Sequence, residues 1–298
     1  MMFKSVLSRK SLPAVFGVAI GAGTAFYLQR QFDSRLSAET LDTLSGVKTY
    51  VTLSCKSNTP LTHDTHEVVF SLPEGHRLGG EVASCVLFAV EKDGKKVVRP
   101  YTPVSPPDTV GSATFVIKKY PGGILGTALH GLRPGEGIDV AGPIQKYKLA
   151  PNQHTQIALI GGGSGITPLY QILHKIAEDP TDHTKVTLFY GSKSPEDILL
   201  RKEIDALVAK KPSQLKVNYF VDSEDVKGIK GGRHGYITKD ILAKELFKAS
   251  DGNVKVFVCG PPPLYKAISG NKKSPSDQGE LTGTLAELGF NKEQVFKF

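Results

Sequence analysis

The hydrophobic pattern of this chain changes near residue 150, and no other feature constrains its fold as strongly. Before that point, short β-rich runs are separated by Gly, Pro and Asp, a pattern typical of a small antiparallel barrel. After it, apolar strands alternate with helical patterns, which predicts a parallel sheet with right-handed crossovers. We therefore predict an all-β domain over 41–150 and an α/β domain over 151–298, and 298 residues are enough for both.

The limits of the predicted elements follow from the same pattern. The predicted strands of the first half are 50–55, 67–72, 82–90, 97–101, 113–118 and 137–141. Those of the second half are 157–160, 186–190, 215–221 and 254–259, with helices expected to begin at Ile166, Pro195 and Pro262. Residues 1–40 fit neither pattern.

Residues 1–40 combine positive charge with an uncharged apolar stretch. They contribute +3 of the net charge of +8, and no charged residue lies between Lys10 and Arg30. The apolar run 12–28 is just long enough for a membrane helix, which needs about 17 to 25 residues. A cleaved secretory signal, a mitochondrial presequence with a hydrophobic sorting stretch and a retained anchor all remain open. The basic, acid-free residues 1–11 favour a mitochondrial anchor.

Cysteine count, histidine spacing and charge narrow the function classes. Three cysteines without a C-x-x-C spacing support neither a disulfide framework nor a zinc knuckle. His63 and His66 share the spacing of a metal-binding pair, but without a third ligand we expect no metal. The net charge suits nucleic acid, an anionic membrane or an acidic protein, and the absence of a nucleic-acid motif in the sequence leaves the last two.

A glycine cluster ends the first strand of the second half. Gly161, Gly162, Gly163 and Gly165 lie between an apolar strand and a predicted helix, so bare N–H groups and the positive helix end face the space above the sheet. Such a turn suits a pyrophosphate, although a tight turn that needs positive φ would also select glycine. Because the spacing is not G-x-G-x-x-G, the inference depends on other motifs.

Two further motifs support ligand binding. The run Cys259-Gly260-Pro261 ends a later strand at the same carboxyl edge of the sheet, where open α/β folds bind ligands. The run Arg99-Pro100-Tyr101-Thr102 lies in the first half and offers a forked cation for phosphate, a ring for a flat heterocycle and a hydroxyl. Its proline confines the strand to a sheet edge. Either run alone is also common as a plain turn or edge strand.

Together and in this order, the motifs resemble those of the NADH–cytochrome b5 reductases, within the ferredoxin-reductase-like flavoproteins. The resemblance extends from Tyr50 to Phe298, and the N-terminus and Ala83-Ser84 are most similar to fungal mitochondrial members. It implies an antiparallel FAD-binding β-barrel followed by a Rossmann-like NAD-binding domain. It is supported by His63-Asp64-Thr65, Tyr120-Pro121-Gly122-Gly123, Gly142-Pro143, the segment from Glu196 to Arg201 and the segment 294–298.

The resemblance also implies roles for individual residues. Thr102 would hydrogen-bond flavin N5, His63 would relay a proton, and Cys259 would lie beside the nicotinamide as the third catalytic residue. FAD would be held by Arg99, Pro100, Tyr101, Thr102, Val116, Lys118, Tyr120, Gly122, Gly123, Leu125, Gly126, Thr127 and Thr167. NADH would be held by Gly162, Gly163, Ser164, Gly165, Asp222, Cys259, Gly260 and Pro261.

This chain departs from the family at the phosphate-binding helix. Ile124 and Gly126 stand where the family has a basic residue and a serine, which puts FAD affinity in doubt and keeps a non-catalytic, membrane-tethered member as an alternative. Asp222 matches the acidic position at which, by the resemblance, the family favours NADH by repelling a 2′-phosphate. Ser192 and Lys193 could instead bind that phosphate, so an NADPH-linked reductase of another acceptor also stays open.

The implied activity is the oxidation of NADH, in which hydride passes to FAD N5 and single electrons then pass to the haem of cytochrome b5. The +5 carried by the residues after 40 suits an acidic haem protein as the partner. We expect a monomeric catalytic part anchored through residues 12–28, as a single span, in the mitochondrial outer membrane. The alternative is a form released into the intermembrane space by processing.

Overall fold

The structure, a computed structural model, describes residues 40–223 and 226–298. Leu41–Phe298 cluster as one unit. The predicted anchor over 12–28 lies outside the described residues. None of the helices within the described ranges is both long and apolar enough to cross a bilayer.

The first half forms a six-stranded antiparallel sheet in the order β6-β5-β8-β2-β3-β7. Its inner face buries an aromatic cluster of Phe70, Phe88 and Phe115. A separate two-stranded sheet pairs β1 with β4. The strands are β1 Leu41–Asp42, β2 Gly46–Pro60, β3 Thr65–Ser71, β4 His76–Arg77, β5 Ser84–Lys92, β6 Lys95–Tyr101, β7 Ser112–Lys118 and β8 Gly137–Gln145.

This sheet is not closed by hydrogen bonds into the predicted barrel. Within the described residues its end strands β6 and β7 do not pair with each other. Pro100 has no N–H group to donate from β6, which agrees with the predicted edge position of that strand. Helix α1, Ile124–Gly131, packs against both end strands and buries Leu125 and Leu129. The coarser prediction of an antiparallel all-β half is confirmed.

The second half forms a six-stranded parallel sheet in the order β12-β11-β10-β9-β13-β14. Its central strands are buried on both faces between two hydrophobic clusters, as expected for a parallel sheet covered by helices. The strands are β9 Gln156–Gly162, β10 Lys185–Ser192, β11 Leu215–Val221, β12 Gly232–His234, β13 Val254–Cys259 and β14 Val295–Lys297. The helices are α2 Ile166–Glu178, α3 Arg201–Lys210, α4 Lys239–Glu245, α5 Pro262–Ile268 and α6 Gly283–Glu287.

The predicted start of one helix is wrong. Pro195–Asp197 form only a 3₁₀ turn, and the α-helix of this crossover begins at Arg201. The cause is Leu200, whose φ of 56° places it in the left-handed region and interrupts the helix between the two segments. The starts predicted at Ile166 and Pro262 are confirmed.

Gln171 on α2 joins the two halves. Its side-chain oxygen accepts a hydrogen bond from the N–H of Ala83, and its amide nitrogen donates to the carbonyl of Pro103, each at 3.0 Å. Val82 and Val116 of the first half also pack into the hydrophobic cluster that covers one face of the parallel sheet. The two sheets therefore meet across a buried, hydrogen-bonded contact next to a cleft.

Candidate active site

A cleft of about 780 Å³ lies between the two sheets and brings the three sequence motifs together. This volume is within the range of about 300 to 1,000 Å³ found for ligand-binding pockets. Its walls come from the end of β6, the start of α1 and the carboxyl ends of β9 and β13. The cleft also lies where the strand order of the parallel sheet reverses, since β10 and β13 flank β9 on opposite sides.

The glycine turn after β9 is pressed against the end of β13. Gly161 pairs with Cys259 in the sheet. A Cβ atom on Gly165 would lie 2.3 Å from the carbonyl oxygen of Cys259, and one on Gly162 would lie 2.9 Å from Leu264 Cδ1. Real Cβ atoms do not approach backbone atoms so closely, so the two loops can touch at Gly165 only because it is glycine, whereas the Leu264 side chain could rotate away from a Cβ atom at position 162. The result is a bare backbone surface at the sheet edge.

The end of β6 presents the second motif along one wall of the cleft. Arg99, Pro100, Tyr101 and Thr102 all line it. Burial raises the pKa of Tyr101 to about 12, so its hydroxyl stays neutral. The Tyr101 ring packs edge-on against Phe88 with 5.4 Å between ring centroids, which fixes its orientation. The Arg99 guanidinium is exposed and donates a hydrogen bond of 2.8 Å to the carbonyl of Val98.

The start of α1 forms the third wall. Its N-cap residue, Gly123, gives no side-chain hydrogen bond to the helix, and the first N–H groups of a helix have no partner within it. A Cβ atom on Gly126 would lie 3.2 Å from Lys119 Cα and 3.3 Å from the carbonyl of Lys118. Gly126 thus allows the helix start to approach the end of β7 closely. An uncapped N-terminus in this position suits an anionic group.

The cleft is strongly cationic. Arg99, Lys118, Lys146 and Lys272 line it, and within the described part of the chain no aspartate or glutamate does. Burial, together with repulsion from Lys146, lowers the pKa of Lys272. Lys118 is paired with Asp64, whose Oδ2 lies 2.6 Å from Lys118 Nζ outside the cleft lining. Such a distribution of charge favours a ligand that carries phosphates.

Cys259 at the end of β13 lines the cleft and lies beside Tyr265. Burial raises the pKa of its thiol to about 11. The thiol therefore remains protonated near neutral pH and is not a nucleophile. A neutral thiol there offers van der Waals contact and a weak hydrogen bond to a ligand.

Most of the predicted site residues line the cleft, and five do not. Those that line it are Arg99, Pro100, Tyr101, Thr102, Val116, Lys118, Tyr120, Gly122, Gly123, Leu125, Gly126, Ser164, Gly165, Thr167, Cys259, Gly260 and Pro261. Those outside the lining are His63, Thr127, Gly162, Gly163 and Asp222. Tyr120 and Ser164 meet across the cleft, with 2.7 Å between their hydroxyl oxygens.

His63 lies between two carboxylates instead of in the cleft. Its side chain is 72% exposed, with Nε2 3.4 Å from Asp64 Oδ2 and Nδ1 3.5 Å from Asp197 Oδ1. Ligand atoms of these three residues lie within 4.8 Å of one another, but the ammonium group of Lys118 already binds Asp64 and would oppose a cation. His66 instead contacts Asn58 and stacks on His130.

Several cleft residues have no counterpart among the sequence-predicted site residues. Lys146 follows β8, and Lys272 and Ser274 lie in the loop after α5. For a lysine in a polar loop, the local sequence does not show whether the side chain lines a cleft or lies on the open surface. Cys85 lies on β5 in a run that reads as ordinary core. Phe298 also lines the cleft, where its main-chain oxygen accepts a hydrogen bond of 2.7 Å from the Tyr265 hydroxyl.

Comparison with protein families agrees with the two halves of the structure. Residues 52–149 match the oxidoreductase FAD-binding domain, and residues 159–270 match the oxidoreductase NAD-binding domain.

Comparison with individual proteins extends over nearly the whole chain. It is 46% identical to NADH-cytochrome b5 reductase 2 of Scheffersomyces stipitis, over 99% of this chain and 98% of that protein. It is 49% identical to the protein of the same name from Candida albicans, over 96% of this chain and 95% of that protein. Among solved structures, the cytochrome b5 reductase domain of Ulva prolifera nitrate reductase is similar, with 26% identity, a TM-score of 0.73, and coverage of 86% of this chain and 100% of that one.

Proposed function

This chain belongs to the NADH–cytochrome b5 reductase family, and from that premise we propose that it oxidises NADH through bound FAD and reduces cytochrome b5. One observation supports this function most directly: the cleft joins the FAD-binding and NAD-binding halves and is lined by four cations. Both dinucleotides carry a pyrophosphate that such a cleft would attract.

The residues of the cleft fit FAD. Arg99 and the uncapped start of α1 would hold its pyrophosphate, and Tyr101 and Thr102 would contact the isoalloxazine ring. When bound, FAD supplies hydride acceptance at N5 and the release of single electrons to a haem protein. The neutral hydroxyl of Tyr101 and its packed ring would place no negative charge beside the isoalloxazine ring.

The bare turn after β9 would bind the phosphates of NADH through backbone N–H groups, and the end of β13 would contact the nicotinamide. The protonated Cys259 thiol there would orient the ring without attacking it. His63 would exchange protons with solvent at the outer end of a chain of contacts, in which it meets Asp64 and Asp64 binds the cleft residue Lys118.

On this proposal residues 41–150 form the FAD-binding domain and 151–298 the NAD-binding domain, acting as a monomer. Residues 1–40 would target the protein to the mitochondrion and anchor it in the outer membrane by a single span over 12–28. The alternative is a processed form in the intermembrane space. The +5 outside residues 1–40 would favour docking of an acidic cytochrome b5.

The proposed activity predicts a visible property of the purified protein. It should be yellow, its flavin absorbance should bleach on addition of NADH without oxygen, and it should then reduce cytochrome b5. A colourless protein that FAD does not reconstitute would instead identify a non-catalytic member. A yellow protein that NADH bleaches but that leaves cytochrome b5 oxidised would point to another acceptor.

Asp222 is predicted to set the preference for NADH over NADPH. It is exposed directly after β11, and its N–H donates to the carbonyl of Lys193 at 3.2 Å. The loops after β10 and β11, which could both meet a 2′-phosphate, are therefore in contact. We expect Asp222→Thr to lower the ratio of kcat/KM for NADH to kcat/KM for NADPH by about tenfold, because it removes a carboxylate that would repel the 2′-phosphate of NADPH. Asp240→Thr, the same charge change at the start of α4, is the control. An unchanged ratio in Asp222→Thr, or equal values for both nucleotides in the unaltered protein, would contradict the assignment.

A further inference from the structure

Asn58 on β2 caps the C-terminal end of α1, although it lies more than 70 positions away in the sequence. Its side-chain nitrogen donates to the carbonyls of Leu129, His130 and Leu132 at 2.9, 3.2 and 2.8 Å. The last carbonyls of a helix have no partner within it, and they carry the negative end of the helix dipole. The amide has two hydrogens for three acceptors, so at least one hydrogen is shared, and it satisfies the carbonyls of Leu129 and His130 in the last turn and that of the C-cap residue Leu132.

Two stacked histidines hold that amide in place. The side-chain oxygen of Asn58 lies 2.7 Å from Nδ1 of His66, which must donate because the amide oxygen can only accept. The His66 ring stacks on the His130 ring with 3.9 Å between centroids. His130 Nε2 in turn donates to the carbonyl of Ile117 at 2.8 Å. The cluster Asn58, His66 and His130 thus connects α1 to β2, β3 and β7.

Helix α1 depends on such external contacts. It has only eight residues, and isolated helices of this length do not persist in water. Leu125 and Leu129 bury one face of the helix, but apolar contacts alone do not define its position along its axis. The hydrogen bonds of the cap at the C-terminal end are directional, so they define the position of the helix along its axis.

We propose that Asn58 and His66 are positioning residues, which place the start of α1 for the FAD pyrophosphate and so control how tightly the protein retains FAD. This inference rests on the proposed function, since it assumes that FAD phosphates bind at that helix start. Neither residue lines the cleft, so direct contact with a ligand does not account for this polar cluster. Placement of the helix start does account for it.

The same cluster makes FAD retention sensitive to acid. The charged and titratable groups acting on His66 are His130 on α1 and Lys119 after β7. Burial first, then repulsion from those two groups, lowers the pKa of His66. A histidine whose pKa is lowered by folding contributes stability above its ordinary pKa of about 6.5, and that contribution is lost as the pH falls below it. FAD should therefore dissociate more readily in mild acid.

The first test measures the dissociation constant of FAD, from the fluorescence of released flavin, in the holoenzyme and its variants. Asn58→Ala and Asn58→Asp should each raise it about tenfold or more, because both lose the donating amide. The KM for NADH at saturating FAD should not change. Asn291→Ala, which removes a cap from a 3₁₀ turn in the other half, is the control and should retain FAD as the unaltered protein does.

The second test uses His66→Asn, whose amide nitrogen can take the place of Nδ1 but does not titrate. At about pH 7.5 its dissociation constant for FAD should match that of the unaltered protein. At about pH 5.5 the unaltered protein should bind FAD more weakly, whereas His66→Asn should not. This variant decides the question if the Asn58 variants do not fold. FAD binding unchanged in Asn58→Ala, equal loss in Asn291→Ala, or an unaltered pH profile in His66→Asn would each overturn the inference. If the unaltered protein binds no FAD at all, the proposed function itself fails.

Discussion

Gly165→Ala is expected to lower kcat/KM for NADH about 100-fold, because the added methyl group has no space. Its Cβ would lie 2.3 Å from the carbonyl oxygen and 2.5 Å from the carbonyl carbon of Cys259, and 2.8 Å from Gly260 Cα. All three neighbours are backbone atoms, so no side chain can rotate away. The turn after β9 must then separate from the end of β13, and the surface proposed for NADH is lost. Steady-state kinetics with NADH and ferricyanide measure the effect.

Two controls separate this local effect from general damage. Gly191→Ala adds the same methyl group at the end of the neighbouring strand β10, where the nearest atom would be 3.8 Å away, and it should keep nearly full activity. Gly165→Ala should also retain its flavin absorbance, because every residue assigned to FAD except Thr167 lies in the other half. Normal kinetics in Gly165→Ala would show that the two loops do not need this contact.

The parts of the fold that sequence reasoning predicts are those governed by local pattern. Strands at the centre of a parallel sheet are rich in apolar and β-branched residues, and Leu215–Val221 and Val254–Cys259 match their predicted limits. Proline in Arg99-Pro100-Tyr101 indicates an edge strand, and β6 is one. Parallel strands end at a common edge, which brings the glycine turn and Cys259 together.

The parts that escape prediction depend on contacts between distant positions. Nothing in the sequence around Asn58 shows that its amide will reach a helix end more than 70 positions away. The helix break at Leu200 needs a positive φ, and a leucine does not predict one as a glycine or an asparagine would. The lysines of the cleft, Lys146 and Lys272, lie in polar segments where charge is ordinary. In each case the tertiary neighbour, and not the local pattern, decides the structure.

The departure at Gly126 acquires a physical explanation from the same kind of contact. A serine there would place its Cβ 3.2 Å from Lys119 Cα, so a side chain at this position requires the helix start to lie further from β7. In this chain the start of α1 lies close to β7 and offers backbone N–H groups in place of a hydroxyl. Tight retention of FAD is thus compatible with glycine at this position. Because Ile124 carries no positive charge, Arg99 supplies a larger share of the attraction for the FAD pyrophosphate.

Arg99→Glu is accordingly expected to raise the dissociation constant of FAD about 100-fold or more, because it introduces an acidic side chain into a cleft whose described lining has no aspartate or glutamate. Arg99→Lys should have an intermediate effect, since it keeps the charge but loses the forked pair of donors. Lys95→Glu makes the same change of charge on the same strand at an exposed position outside the cleft lining, so it should affect FAD binding only slightly. Fluorescence titration of the apoprotein with FAD measures all three. Equal weakening by Arg99→Glu and Lys95→Glu would mean that overall charge, and not contact with Arg99, governs binding.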